Sequence, residues 1–336
     1  MGWGGNAHRN SSIELYRVCL MFGICLLHCA YHGGYRQELV VDLLRFCVDG
    51  FVFISGYYGL RFAPSKVIRL MGIAAVAITI AWVGGVILGI TETLSVKRLI
   101  KSLISDNWFL YAYLALMLLA PVVDAALNAT PTRKLPMILV PFLGLTFVWS
   151  YGLTLPIIGS CLPRISGLGS YTFVMMLGVY TVARLCHRFD LGQWLTRRRI
   201  CCIVPVLLLI VGMGFGEYDS PFAVSLAMVM FILFSRIQLS RRMGQFVLLL
   251  APSMFAVYLL HDNDTGRFLI REIMKWGVEG YGLSPYLAYP LCAVPIFVGC
   301  VLLDIPRRLI VRWTVPVWKP LLMRIDAVYA RIVGDV

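Results

Sequence analysis

The sequence predicts an all-α integral membrane protein of about ten transmembrane helices, with no separate soluble domain. Three observations carry that prediction. Apolar residues make up 60% of the 336 and charged residues only 14%, and the mean hydropathy is +0.81. A soluble domain is about 45–50% apolar and about 25% charged, because its surface must face water. Second, the apolar residues fall in runs near the ~20 residues that a helix needs to cross a bilayer. Third, no stretch longer than about 50 residues is polar enough to form a water-soluble core. In lipid every backbone N–H and C=O must find its partner within the segment, so the runs read as helices.

Taken in order, the first candidate span is 13–32, a run of Leu, Ile, Met and Cys closed by Gly33-Gly34. The second is 41–60, closed by Gly59 and the basic RFAPSKVIR. The third is 67–90. The fourth and fifth, 107–127 and 135–152, are separated by the turn-forming ATPTRK. The sixth is 169–186. The seventh and eighth, 200–216 and 221–236, are short enough to pair as a tight hairpin, and 246–262 and 285–304 complete the set. The spans define a membrane domain over 9–305. The remaining 306–336 is a basic, partly amphipathic tail expected to lie along the cytoplasmic interface.

The formal net charge of +13 raises the possibility of a nucleic-acid partner, and the distribution of that charge argues against one. With a cytoplasmic N-terminus, most of the 30 Lys and Arg fall on the cytoplasmic side: at Arg9 and Arg17, Arg61 to Arg69, Arg133/Lys134, Arg184 to Arg199, Arg236 to Arg242 and along the tail. That asymmetry is the positive-inside pattern, and it puts both termini in the cytoplasm. Most of the ten cysteines, among them Cys19, Cys25, Cys29, Cys201, Cys202, Cys292 and Cys300, lie in apolar runs, where the residue packs as a small hydrophobe. No paired CxxC or His/Cys spacing suggests a metal site. The first apolar run is too long, and keeps Glu14 and Arg17, for a cleaved signal peptide.

Ionisable residues inside spans are costly and therefore point to function. In the first span Arg17 and His28 are eleven residues apart, which places them about 20° apart around one helix and about 16 Å apart along it. Glu14 shares nearly the same face. A single helical histidine ordinarily packs, and a single Arg near a helix end ordinarily anchors topology; together they make a polar stripe running into the membrane. Histidine is the side chain best suited to proton transfer near neutral pH. The second span carries Arg45 and Asp49 at i, i+4, a spacing that allows an ion pair, then Ser55-Gly56, where glycine permits close helix approach. Lys66 and Arg69, three residues apart at a helix start, could hold phosphate or serve only as topology signals. Trp108 and Tyr258 read as members of an interfacial aromatic belt. His261-Asp262 sits at the outer end of the ninth span, with Asp262 or Asn263 available for capping. Outer loops at 91–106, 153–168 and 263–284 would shape a site there, with Arg164 and His261 as candidates.

These residues resemble the acyltransferase-3 family, membrane acyltransferases that modify bacterial glycans. SSIELYRVCLMFGICLLHCAYHGG is similar to the family's first span and holds its Arg-x10-His motif as Arg17 and His28. VDGFVFISGYYG resembles its second-span FF-SG motif, NWFLYAYLALMLLAP its fourth span and VYLLHDN its ninth. Lys66-Val67-Ile68-Arg69 stands at the family's Arg-x-x-Arg, with Lys replacing the first arginine and losing its bidentate fork. The resemblance implies a bacterial cytoplasmic-membrane enzyme with no bound cofactor. An acyl group, most simply acetyl with succinyl as the variant, passes from cytoplasmic acyl-CoA to a sugar hydroxyl of a glycan or lipid-linked glycan. Arg17, Lys66 and Arg69 would then hold the CoA phosphates, and His28 would act as general base or transient acyl carrier. The reading from a different class is a transporter or flippase using Arg17, His28, Arg45 and Asp49 as its path.

Overall fold

A computed structural model describes residues 10–90, 107–164, 169–170, 172–190, 200–213 and 217–333, together with positions 97 and 100. Arg9, Arg197 to Arg199 and most of loop 91–106 lie outside the described residues, as do the side chains of Cys201 and Cys202.

Among the described residues the structure is helical and contains no strand. The helices are α1 (Ser11–His32), α2 (Glu38–Leu44), α3 (Phe46–Tyr58), α4 (Pro64–Ile87), α5 (Trp108–Ala129), α6 (Leu135–Leu143), α7 (Pro156–Cys161), α8 (Phe173–Arg188), α9 (Ile200–Met213), α10 (Pro221–Ser235), α11 (Arg241–Leu250), α12 (Met254–His261), α13 (Asp264–Lys275) and α14 (Pro285–Val333). Among the described residues, each of the ten expected spans falls on helix. Six continuous helical stretches among the described residues are long and apolar enough to cross a membrane, two of them composite: Leu135–Gly152 and Arg241–His261. The first of these passes through a π-helical stretch, Gly144–Trp149. The second passes through a 3-10 turn, Ala251–Ser253.

Three expectations are corrected. Residues 263–284, read as an outer loop, contain helix α13 and a π-helical stretch, Trp276–Gly280. The tail does not separate from the last span: α14 runs on through 305 and 306 despite Pro290, Pro295, Pro306, Pro316 and Pro320. At 1.5 Å per residue it is roughly 70 Å long, more than twice the ~30 Å hydrocarbon thickness. Arg45 does not pair with Asp49. The backbone stays helical through Arg45, at the junction of α2 and α3, but its guanidinium is taken by two other carboxylates, Asp42 at 2.7 Å and Glu217 at 3.4 Å.

The chain forms two compact units. In the first, built from 1–37, 62–107 and 240–336, α1 packs against α11, α12, α13 and α14. It is an inner helix of that unit, more deeply buried than α4. Tyr16, Leu20, Leu27, Cys25 and Cys29 form its inward face, and Phe22 meets Phe297 edge-on at 5.8 Å. Large exposed apolar side chains such as Ile87 and Leu302 cover faces that lipid would solvate.

In the second unit, 38–61 and 108–239, α3 lies on α8 at very close range. A Cβ added at Gly56 would stand 2.8 Å from the Tyr180 carbonyl oxygen and 2.7 Å from the Ala183 Cβ, so the small residue at this position sets the helix separation, as its neighbourhood in the sequence suggested. Ser55 Oγ shares a hydrogen bond with Tyr113 Oη at 3.0 Å. The Tyr180 hydroxyl donates to Asp124, which Arg184 also binds at 2.8 Å. The short helices α9 and α10 pack together.

Candidate active site

The last turn of α1 presents His28 and His32, four residues apart and on one face. From the far end of the sequence, α12 ends at His261, and Asp262 occupies its C-cap position. The corner that follows is held by Asn263. Its Nδ2 donates to the carbonyls of Leu259 and Leu260 at 2.8 Å, and its Oδ1 accepts from Gly266 N at 3.0 Å. One side chain thus closes α12 and caps α13, satisfying orphan groups of both ends. Gly266 allows the sharpness of that corner: a Cβ there would lie 2.2 Å from the His261 carbonyl oxygen. Thr265 Oγ1 donates to the Ala81 carbonyl at 2.9 Å, tying the corner to α4.

The two segments meet as a polar cluster. His28 Nδ1 and His261 Nε2 are 2.9 Å apart, and the rings are tilted by 39° with centroids 4.9 Å apart. His261 Nδ1 lies 2.6 Å from the Val257 carbonyl oxygen. Asp262 Oδ1 is 3.6 Å from His32 Nε2 and 3.9 Å from His28 Nδ1. It also accepts a hydrogen bond from Arg267 Nε at 3.0 Å and forms an ion pair with Arg267 Nη2 at 2.9 Å, the pairing expected of an ionised carboxylate. His261 is fully buried and Asp262 nearly so, whereas His28 keeps 14% of its side chain accessible. The donor atoms of His28, His32 and Asp262 lie within 4.8 Å of one another, a set whose atom types would suit a divalent metal. The Arg267 guanidinium already neutralises the shared carboxylate oxygen, which disfavours a second cation there.

Beside the cluster, Tyr35 donates to Glu279 Oε1 at 2.6 Å, a bond that pushes the phenol's pKa upward. Tyr289 donates to the Tyr35 carbonyl. These bonds tie the chain leaving His32 to the Trp276–Gly280 stretch and to the start of α14.

Of the residues singled out in sequence, the structure brings His28 and His261 together. Arg17 lies lower on α1 and binds Glu14 at 3.1 Å. Lys66 and Arg69 stand in the first turns of α4, where Arg69 Nε donates to the Ser65 carbonyl. Tyr258 is buried rather than placed in an exposed belt, with its ring 6.4 Å from that of His261. Asp262 stands at the C-cap position of α12 but turns its side chain to Arg267, and the side-chain capping comes from Asn263. Arg45, Asp49, Ser55 and Trp108 belong to the second unit, and Arg164 is exposed there. Asp49 is fully buried with neither carboxylate oxygen hydrogen-bonded among the described residues. Sequence reasoning gave His32 no chemical role, offered Asp262 only as a cap, and did not name Arg267. The i, i+4 spacing of His28 and His32 was the available signal; nothing in the sequence marked Arg267.

Residues 10–305 match the acyltransferase domain of the acyltransferase-3 family. The chain belongs to that family. No curated protein and no solved structure matches it. The family match decides between enzyme and carrier: the chain is a multi-pass membrane acyltransferase, with an acyl donor and an acceptor as its substrates.

Proposed function

We propose that this acyltransferase moves an acetyl group from cytoplasmic acetyl-CoA to a sugar hydroxyl of a cell-surface polysaccharide or its lipid-linked precursor. The enzyme sits in a bacterial cytoplasmic membrane with both termini in the cytoplasm, the orientation favoured by its basic loops. The observation that carries the reading is the His28–His261–Asp262 cluster at the end of α1 opposite Arg17. One helix then bears a cationic end and, about 16 Å away, a histidine supported by groups from a distant part of the chain.

Arg17, Lys66 and Arg69 hold the phosphates of CoA, and the pantetheine arm extends along α1 toward His28. His28 takes the proton from the acceptor hydroxyl as its oxygen attacks the thioester carbonyl. The C–O bond forms, the C–S bond breaks, and the proton passes to the departing sulfur. Membranes carrying His28→Ala, supplied with radiolabelled acetyl-CoA and the host's glycan fraction, should transfer at least 10²-fold less label. Undiminished transfer would remove His28 from the chemistry. Arg69→Ala should raise the KM for acetyl-CoA more than it lowers kcat, as loss of a donor-phosphate contact requires.

A further inference from the structure

We infer that His261 is a positioning residue that holds His28 in its Nδ1–H form, so that the nitrogen meeting the substrate is Nε2. The inference deepens the acyl-transfer reading above and rests on it for its kinetic consequence, while the proton assignment itself stands on hydrogen bonding alone.

The assignment starts from the one atom in the chain of contacts that has no choice. The Val257 carbonyl can only accept, so the 2.6 Å contact from His261 Nδ1 requires a proton on that nitrogen. A neutral imidazole carries one N–H, which leaves His261 Nε2 with a lone pair. The 2.9 Å separation from His28 Nδ1 is then a hydrogen bond only if His28 donates. His28, also neutral with one proton, therefore carries it on Nδ1 and keeps its lone pair on Nε2. Among the described residues Nε2 of His28 makes no hydrogen bond, and it is the atom available to an incoming hydroxyl.

The opposite polarity would need an imidazolium at His261, with His28 accepting. That charge would lie at a fully buried side chain. The neighbouring carboxylate, Asp262, is already hydrogen-bonded and ion-paired to Arg267, and His32 stands against the same oxygen. A buried cation without its own counter-ion is expensive. The neutral chain of carbonyl, His261 and His28 leaves each of the three contacting atoms correctly matched.

The arrangement also serves the reacting state. When His28 accepts the hydroxyl proton on Nε2 it becomes a cation with Nδ1–H still donating to His261. Asp262 Oδ1 then stands 3.9 Å from the new charge. On breakdown, the same proton leaves Nε2 for the CoA sulfur, and both histidines return to their starting forms.

Two measurements test this. In protein labelled with ¹⁵N-histidine and reconstituted in bilayers, solid-state NMR should show His28 with a protonated Nδ1 and a bare Nε2. A protonated Nε2 on neutral His28 would overturn the inference, and this result does not depend on any activity. Kinetically, His261→Gln keeps an acceptor near the Nε2 position and should hold kcat within about tenfold. His261→Asn reaches only as far as Nδ1, and His261→Phe offers no acceptor; both should lose about 10²-fold or more in kcat with the KM for acetyl-CoA unchanged. Equal kcat in the Gln and Asn variants, both shown to be folded by size exclusion in detergent, would also overturn it. If His28→Ala transfers label normally, the base assignment fails while the NMR result still decides the proton positions.

Discussion

Gly266→Ala is expected to act against helix propensity, and its sign is diagnostic. Gly266 is the third residue of α13, where replacing glycine by alanine ordinarily stabilises by about 0.5–1 kcal/mol. Here the added Cβ would meet three backbone atoms of His261: the carbonyl oxygen at 2.2 Å, the carbonyl carbon at 2.6 Å and Cα at 2.7 Å. Ordinary contact begins near 3.4 Å, so the shortfall from 2.2 Å is about 1.2 Å. None of these atoms can rotate aside, so the corner between α12 and α13 must open. Overpacking of that kind costs about 1–3 kcal/mol, which outweighs the propensity gain. A shift of ~1 Å also takes His261 Nε2 out of hydrogen-bond range of His28, and displacements of that size cost ~10²-fold in rate. Label transfer per unit of folded protein should fall by about that factor, and the midpoint of thermal inactivation in detergent should drop. Gly72→Ala is the control, because a Cβ there meets nothing within 4 Å; it should leave both quantities unchanged or slightly raised. A Gly266→Ala protein with full kcat and raised thermal stability would refute the claim that this corner positions His261.

Three further outcomes follow from other contacts. Gly56→Ala should destabilise by about 1–3 kcal/mol, because its Cβ would press on the Tyr180 carbonyl as well as on Ala183; thermal unfolding in detergent measures it, and adding Ala183→Gly should recover only part of the loss. Asp326 accepts from Ser65 N at 2.9 Å and Ser65 Oγ at 2.6 Å, capping α4 from within α14 where Ala63 supplies no side-chain cap. Asp326→Ala should therefore cost about 1–2 kcal/mol and speed hydrogen exchange in the first turn of α4. Asp262→Asn leaves Arg267 without its carboxylate and removes the negative charge facing His28; stability should fall by about 1–2 kcal/mol, reduced from a buried pair because Arg267 is 36% exposed, and kcat should fall at least tenfold in the label-transfer assay.

The spans were legible in sequence because lipid imposes a simple rule: apolar runs of sufficient length become helices. Arg17 and His28 were legible because helical periodicity alone places them on one face. The cluster around His28 was not. His261 lies 233 residues away, and no local pattern reports a long-range meeting between a helix end and a helix corner. Asp262 and Asn263 looked interchangeable as caps; only the path of the chain into α13 decides that Asn263 caps while Asp262 turns to Arg267. The Arg45–Asp49 spacing misled because i, i+4 logic weighs one carboxylate only, whereas Asp42 on the preceding turn and the sequence-distant Glu217 both reach Arg45. The continuity of α14 was hidden by its prolines, which interrupt isolated helices in water far more readily than segments whose freed carbonyls find other partners in a membrane protein.

The way the proposed site is divided between elements has a consequence for how variants should sort. Arg17 and His28 share one continuous helix, so the distance between donor phosphates and reacting carbonyl is set by a rigid axial rise, and local changes elsewhere cannot alter it. The proton state of His28 is set by different parts: α12, the Asn263 corner and Gly266, which lie outside that helix. Substitutions at Arg17 or at the start of α4 should then move the KM for the donor while leaving the proton chemistry intact. Substitutions at His261, Asp262 or Gly266 should move kcat and leave donor binding intact. A corner variant that raised only the donor KM would contradict this division, because no contact of His261 or Gly266 touches the residues assigned to the phosphates.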